Sequence, residues 1–97
     1  MGIFHRAKQS EKKDSDLLKQ YIDAYSEYRD ERLFRTFQRK SLSYSQKDAL
    51  TTIMEQRITD YQQTIRFQDF ENLQKLLTQE TNPIHRIAIE QLLETQQ

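Results

Sequence analysis

The sequence predicts an all-α protein, a small bundle built on a long antiparallel helical hairpin with two shorter C-terminal helices. Three observations carry that expectation. Valine is absent and glycine and proline occur once each, so the β-branched strands and frequent turns of a β-domain are not supplied. Leucine, glutamine, glutamate, lysine and arginine, which lose little rotamer freedom in a helix, are plentiful. Apolar residues recur at spacings of three and four along successive windows, the period of one helix face.

The 97 residues form one domain, and a chain of this size hides roughly 65% of its unfolded surface on folding. Leucine, isoleucine and phenylalanine number only 23, so the core is expected to be thin, and self-association into a homodimer is one way to cover more apolar surface. Residues 1–13 have no apolar period and carry a charge of +3, the pattern of a flexible basic tail.

The first helix is expected over residues 14–40, opened by Asp14 or Ser15 as a cap and closed by Arg39 and Lys40 against the negative end of the dipole. Leu18, Ile22, Leu33 and Phe37 make its core stripe. Residues 41–45, SLSYS, interrupt the pattern. Ser45 followed by Asp48 reads as a capping-box variant for a second helix over 46–66. Leu50, Met54, Ile58, Tyr61 and Ile65 are its inward residues, with Ile53 at the edge. After Arg66 the stripe changes phase, because Phe67, Phe70, Leu73 and Leu77 fall nearly opposite Leu50 and Ile58 at the helical turn angle. A break near residues 67–69 follows, with Asp69 capping a third helix over 69–80. The alternative is one long helix over 46–80 whose halves pack on different neighbours. Asn82 and Pro83 suit the cap and first position of a last helix over 83–95, whose isoleucines and leucines surround most of its circumference, so that it is either central or shared between subunits.

Positions 21, 25, 28, 32, 35 and 39 share one side of the first helix and read Tyr21, Tyr25, Tyr28, Arg32, Arg35 and Arg39. Two readings compete. Tyrosines at helical spacing commonly pack with a wet hydroxyl, and arginines at a core edge cover it with their stems. Alternatively the face is a partner-binding surface, since tyrosine and arginine dominate interface hot spots. Charge adds a related choice. Residues 1–47 carry +4 and residues 48–97 carry −4, so the halves can pair within one chain, pair between subunits, or leave the basic half for an external anion.

Much chemistry is excluded. A single glycine, at position 2, rules out glycine-rich phosphate cradles. The histidines, His5 and His85, have no partner at ligand spacing, so no metal and no cofactor is expected. His85, in the first turn of the last helix, reads as a surface or boundary residue. The absence of cysteine excludes a Cys–His nucleophile and fits a reducing, cytoplasmic setting. No apolar run approaches a signal peptide or a membrane span. Met1-Gly2 begins a myristoylation pattern, but Arg6 stands where that motif requires Ser or Thr.

What remains is a non-enzymatic protein-interaction module acting on a protein partner or on a second copy of itself. The second choice is a nucleic-acid-binding accessory protein, with Arg29, Arg32, Arg35, Arg39, Lys40 and Lys47 on phosphates and tyrosines on bases. Residues 65–70, IRFQDF, followed by a leucine-rich helix, resemble a segment of some class IIa bacteriocin immunity proteins. That resemblance covers six residues and implies a small cytosolic four-helix domain of inhibitory function. The all-α chorismate mutases are similar in size and helicity alone, which transfers no site residue.

Overall fold

The computed structural model describes residues 16–96, and within them five helices and no strand are present. They are α1 (residues 16–25), α2 (Asp30–Phe37), α3 (Tyr44–Ile65), α4 (Phe70–Gln79) and α5 (Pro83–Thr95). The basic tail 1–13 and the expected caps Asp14 and Ser15 lie outside the described residues. A small all-α bundle is what forms. None of the described helices is long and apolar enough to cross a membrane.

The largest departure from the sequence expectation is in the first helix. A continuous helix over 14–40 does not form, because the chain breaks at residues 26–29 and helix ends again at Phe37. Ser26, Glu27, Tyr28 and Arg29 contain no helix breaker, so local propensity cannot cause the interruption. A side chain 31 residues away meets both edges of the interruption. Arg57 of α3 donates from Nη2 to the Ser26 carbonyl at 2.9 Å and from Nη1 to Asp30 Oδ1 at 2.8 Å. The guanidinium satisfies the open end of α1 and holds the first residue of α2 at the same time.

The start of α3 also differs. Ser43, not Ser45, is the cap: its hydroxyl accepts from the Gln46 amide at 3.2 Å, and Gln46 Oε1 accepts from the Ser43 amide at 2.9 Å. A capping box needs a side chain long enough to reach back to the cap amide. Gln46 has that reach, and Asp48, one methylene shorter than Glu, does not. Further along, Leu50, Ile53, Met54, Ile58 and Ile65 are buried as the period requires, and Tyr61 is half-buried.

The break after α3 falls at residues 66–69, where Asp69 accepts from the Asn72 amide at 2.8 Å and caps α4. It resolves the phase conflict in the stripe by turning the chain instead of burying two faces of one helix. Phe67 does not join the α4 core as its spacing suggested. It stands in the turn 83% exposed, with the Arg66 guanidinium 4.7 Å from its ring centroid. Asn82 caps α5 by accepting from the Ile84 and His85 amides at 2.9 and 3.3 Å, with Pro83 at the first helical position.

The central element is α5, which packs against α2, α3 and α4. The larger apolar cluster joins Tyr25, Leu33, Leu50, Ile53, Met54, Ile58, Ile84 and Ala88, with Leu18, Tyr21 and Ile22 of α1 against it. A smaller cluster joins Ile65, Leu73 and Ile89 and is completed by leucines of α4 and α5. Tyr61 borders both clusters. Splitting a limited set of apolar side chains between two clusters leaves each of them thin, and polar contacts must then fix how the helices meet.

Candidate functional site

The six residues on the expected face occupy three different environments. Tyr25 is buried at 7% exposure, within the main cluster, and is a core residue, not part of an accessible surface. Tyr21 and Tyr28 are half-buried against that cluster. Arg32 and Arg35 are exposed on α2, and Arg39 is exposed in the turn that follows it.

The break does not scatter these side chains. Tyr21 and Tyr25 stack with centroids 5.9 Å apart and planes 15° apart, and Tyr28 meets Tyr25 edge-on at 5.3 Å and 73°. The Arg32 guanidinium carbon lies 3.9 Å from the Tyr28 ring centroid. An aromatic ladder therefore runs from the core to the surface and ends in a cation, the arrangement in which ring edges and faces of opposite partial charge meet. The tyrosines pack in or against the main cluster, and the arginines stay exposed.

Among the described residues of one chain, the expected pairing of basic first half with acidic second half is not formed. Among the described residues Arg57 pairs with Asp30 at 2.8 Å, and His85 lies 2.9 Å from Glu80 and 3.8 Å from Asp30, contacts that are ionic only when the imidazole is protonated. None sets a cation of residues 1–47 against a carboxylate of residues 48–97, and Arg35 does not pair with Glu55. The link between halves runs the other way, from Arg57 to Asp30.

These pairs belong to a polar junction that sequence reasoning missed. Asp30 Oδ2 accepts from Asn82 Nδ2 at 2.8 Å, so one carboxylate ties the start of α2 to α3 and to the α4–α5 turn. His85 Nδ1 lies 2.9 Å from Glu80 Oε1, and its ring stacks on Tyr61 with centroids 3.8 Å apart and planes 4° apart. Arg86 Nη1 donates to the Leu77 and Glu80 carbonyls, each at 2.9 Å, and closes the end of α4. An open groove of about 390 Å³ beside the junction is lined by Arg29, Asp30, Glu31 and Asn82, whose charges are of both signs. No local spacing signals the bonds that Asp30 makes in the junction, because they span 27 and 52 residues. The one visible clue was Asn82, legible as a cap but not as a partner of Asp30.

Burial, followed by the charge of Glu80, raises the Tyr61 phenol above its ordinary value of 10.0. The unfolded phenol ionises first, so stability present below that pH is lost as pH rises through the folded value. Wild type is expected to lose more melting temperature than Tyr61→Phe between pH 9 and 11, as read by thermal denaturation. Equal losses would show that the Tyr61 hydroxyl contributes nothing to the alkaline transition.

The junction gives the chain a rigid attachment for α2, and the groups in it are turned toward one another. Among the described residues no buried side-chain nitrogen or oxygen lacks a hydrogen-bond partner, and no group of three or more His, Asp or Glu is placed to hold a metal ion. Arg32 and Arg35 of α2 differ in being exposed and in no ion pair with a described carboxylate. No protein-family model, no curated protein and no solved structure matches this chain.

Proposed function

We propose that the protein is a small non-enzymatic interaction module, acting in the cytoplasm, which binds a partner protein carrying an acidic surface through Arg32, Arg35 and Arg39, with Tyr28 and Tyr21 alongside. The observation that carries the reading is the state of these cations. All three are exposed, none is in an ion pair with a described carboxylate, and one is already held over a tyrosine ring at 3.9 Å. A guanidinium fork matches a carboxylate in two hydrogen bonds, and a side chain held in place before binding loses less entropy on contact. The polar junction supports the same reading, since its titratable groups are engaged in joining helices.

The same arginines suit phosphates, which is the nucleic-acid alternative. Two features favour a protein: Glu31 is exposed on the same helix, and residues 16–96 carry 11 Lys and Arg against 13 Asp and Glu. A duplex binder gains most of its affinity from uncompensated positive charge.

The test places a photo-cross-linking residue at Gln38, among the arginines, or at Gln63, an exposed control on α3. A protein adduct is expected from position 38 and not from 63. It is expected to disappear in Arg32→Gln/Arg35→Gln/Arg39→Gln, with folding stability held within about 1 kcal/mol, as for exposed substitutions. A large stability loss would return the arginines to the fold, and a salt-sensitive gel shift of DNA or RNA lost in the triple variant would replace the protein partner with nucleic acid.

A further inference from the structure

The break between α1 and α2 lacks local support. Residues 26–29 read Ser, Glu, Tyr, Arg, with no glycine or proline, and no described residue has a positive φ. Arg29, the cap of α2, makes no side-chain capping bond, whereas Ser43, Asp69 and Asn82 each cap their helices in that way. Both helical stripes of the sequence, Leu18-Ile22-Leu33-Phe37 and the Tyr–Arg series, pass through the break without a change of phase.

Arg57 opposes that continuity at one atom. In an uninterrupted helix the Ser26 carbonyl accepts from the amide of residue 30. Here Arg57 Nη2 occupies that carbonyl at 2.9 Å, while Nη1 holds the Asp30 side chain at 2.8 Å. One guanidinium thus takes the acceptor and restrains the residue that would supply the donor. Asn82 holds the other Asp30 oxygen at 2.8 Å.

We propose that Arg57 is a latch on a two-state hinge. On its release, residues 26–29 close into helix, α1 and α2 fuse into one rod, and α1 docks on a second copy of this chain. A straight rod cannot leave Leu18, Tyr21, Ile22 and Tyr25 where the bent chain packs them against the main cluster. The surface that α1 vacates is apolar, and the segment that fits it is present on every other copy with the same side chains. Exchange of an identical element needs no new interface, which is why hinge segments are the usual route to swapped dimers. The occupant is therefore α1 of a second chain, whether or not the α2 arginines bind the partner proposed above.

The test combines solution mass by light scattering with backbone carbon chemical shifts of residues 26–29, on wild type, Arg57→Gln and Asp30→Asn. Both variants are expected to move these residues to helical shifts. Both are also expected to raise the dimer association constant by about tenfold or more, as for loss of a partly buried ion pair that favours one state. Adding Arg29→Pro is expected to return the protein to monomer. The Arg29 φ of −69° already suits a proline ring, and its amide makes no backbone hydrogen bond, whereas proline inside a continuous helix removes a bond and clashes with the preceding turn. Coil shifts at 26–29 with unchanged mass would overturn the proposal. So would a dimer that persists with Arg29→Pro, or unfolding of both single variants, since a chain with an accessible straight state would populate it instead.

Discussion

Asp30→Ala is expected to destabilise the fold by about 3 kcal/mol, near the lower end for removing one partner of a buried ion pair because the side chains of Asp30 and Arg57 are each 24% exposed. The change removes more than one contact. Arg57 Nη1 loses its acceptor, and Asn82 Nδ2 loses its own. Each group stays where the fold has partly withdrawn it from water, so the penalty is that of stranded donors and not only of a missing attraction. In dilute solution, where chain exchange cannot offset the loss, the melting temperature should fall by about 12–24 °C, given roughly 4–8 °C per kcal/mol for a domain of this size. Glu31→Ala, one residue along and exposed, is expected to change stability by less than about 0.5 kcal/mol. Equal effects at the two positions in urea titration would show that the junction is ornamental.

Leu50→Ala is expected to lower stability by about 3 kcal/mol or more. Leu50 has 0% exposure and sits on α3 in the main cluster with Leu33, Ile53, Met54 and Ile84. The lost transfer energy of the three removed carbons, a methine and two methyls, adds to the energy of the cavity left behind. With two thin clusters and not one deep core, such a loss is a large share of a total stability of about 5–15 kcal/mol. Phe67→Ala is expected to cost less than about 0.5 kcal/mol despite the larger side chain, because Phe67 is 83% exposed. Reversal of that order in urea denaturation would mean that Phe67 is covered in solution and Leu50 is not.

Legibility differs sharply along the chain. The α3 stripe was readable because a 22-residue helix repeats its period often enough for the inward face to stand out. Asp69 and Asn82 were readable because a cap bonds to amides two or three residues away, a distance that sequence spacing encodes. Ser43 was misplaced by two residues because SLSYSQKD offers overlapping cap registers, and side-chain reach decides between them. Tyr21, Tyr28, Arg32, Arg35 and Arg39 were identified as one face, but their separation into packed rings and exposed arginines depends on neighbours that the helical period does not contain. The Asp30–Arg57–Asn82–His85 junction was illegible, since no local rule predicts a contact across 52 residues.

By itself the sequence determined the all-α class, the bulk of α3 through α5, and an α5 that is apolar on most sides. These follow from composition, helical period and caps, all of which act within one or two turns of chain. Tertiary structure alone decided that the first helix is two helices, that Tyr25 belongs to the core, and that α2 is anchored through Asp30. The physical reason is one of range. Local propensity over residues 26–29 allows helix, whereas in the fold a guanidinium on α3 occupies the Ser26 carbonyl that a continuous helix would use for its next hydrogen bond.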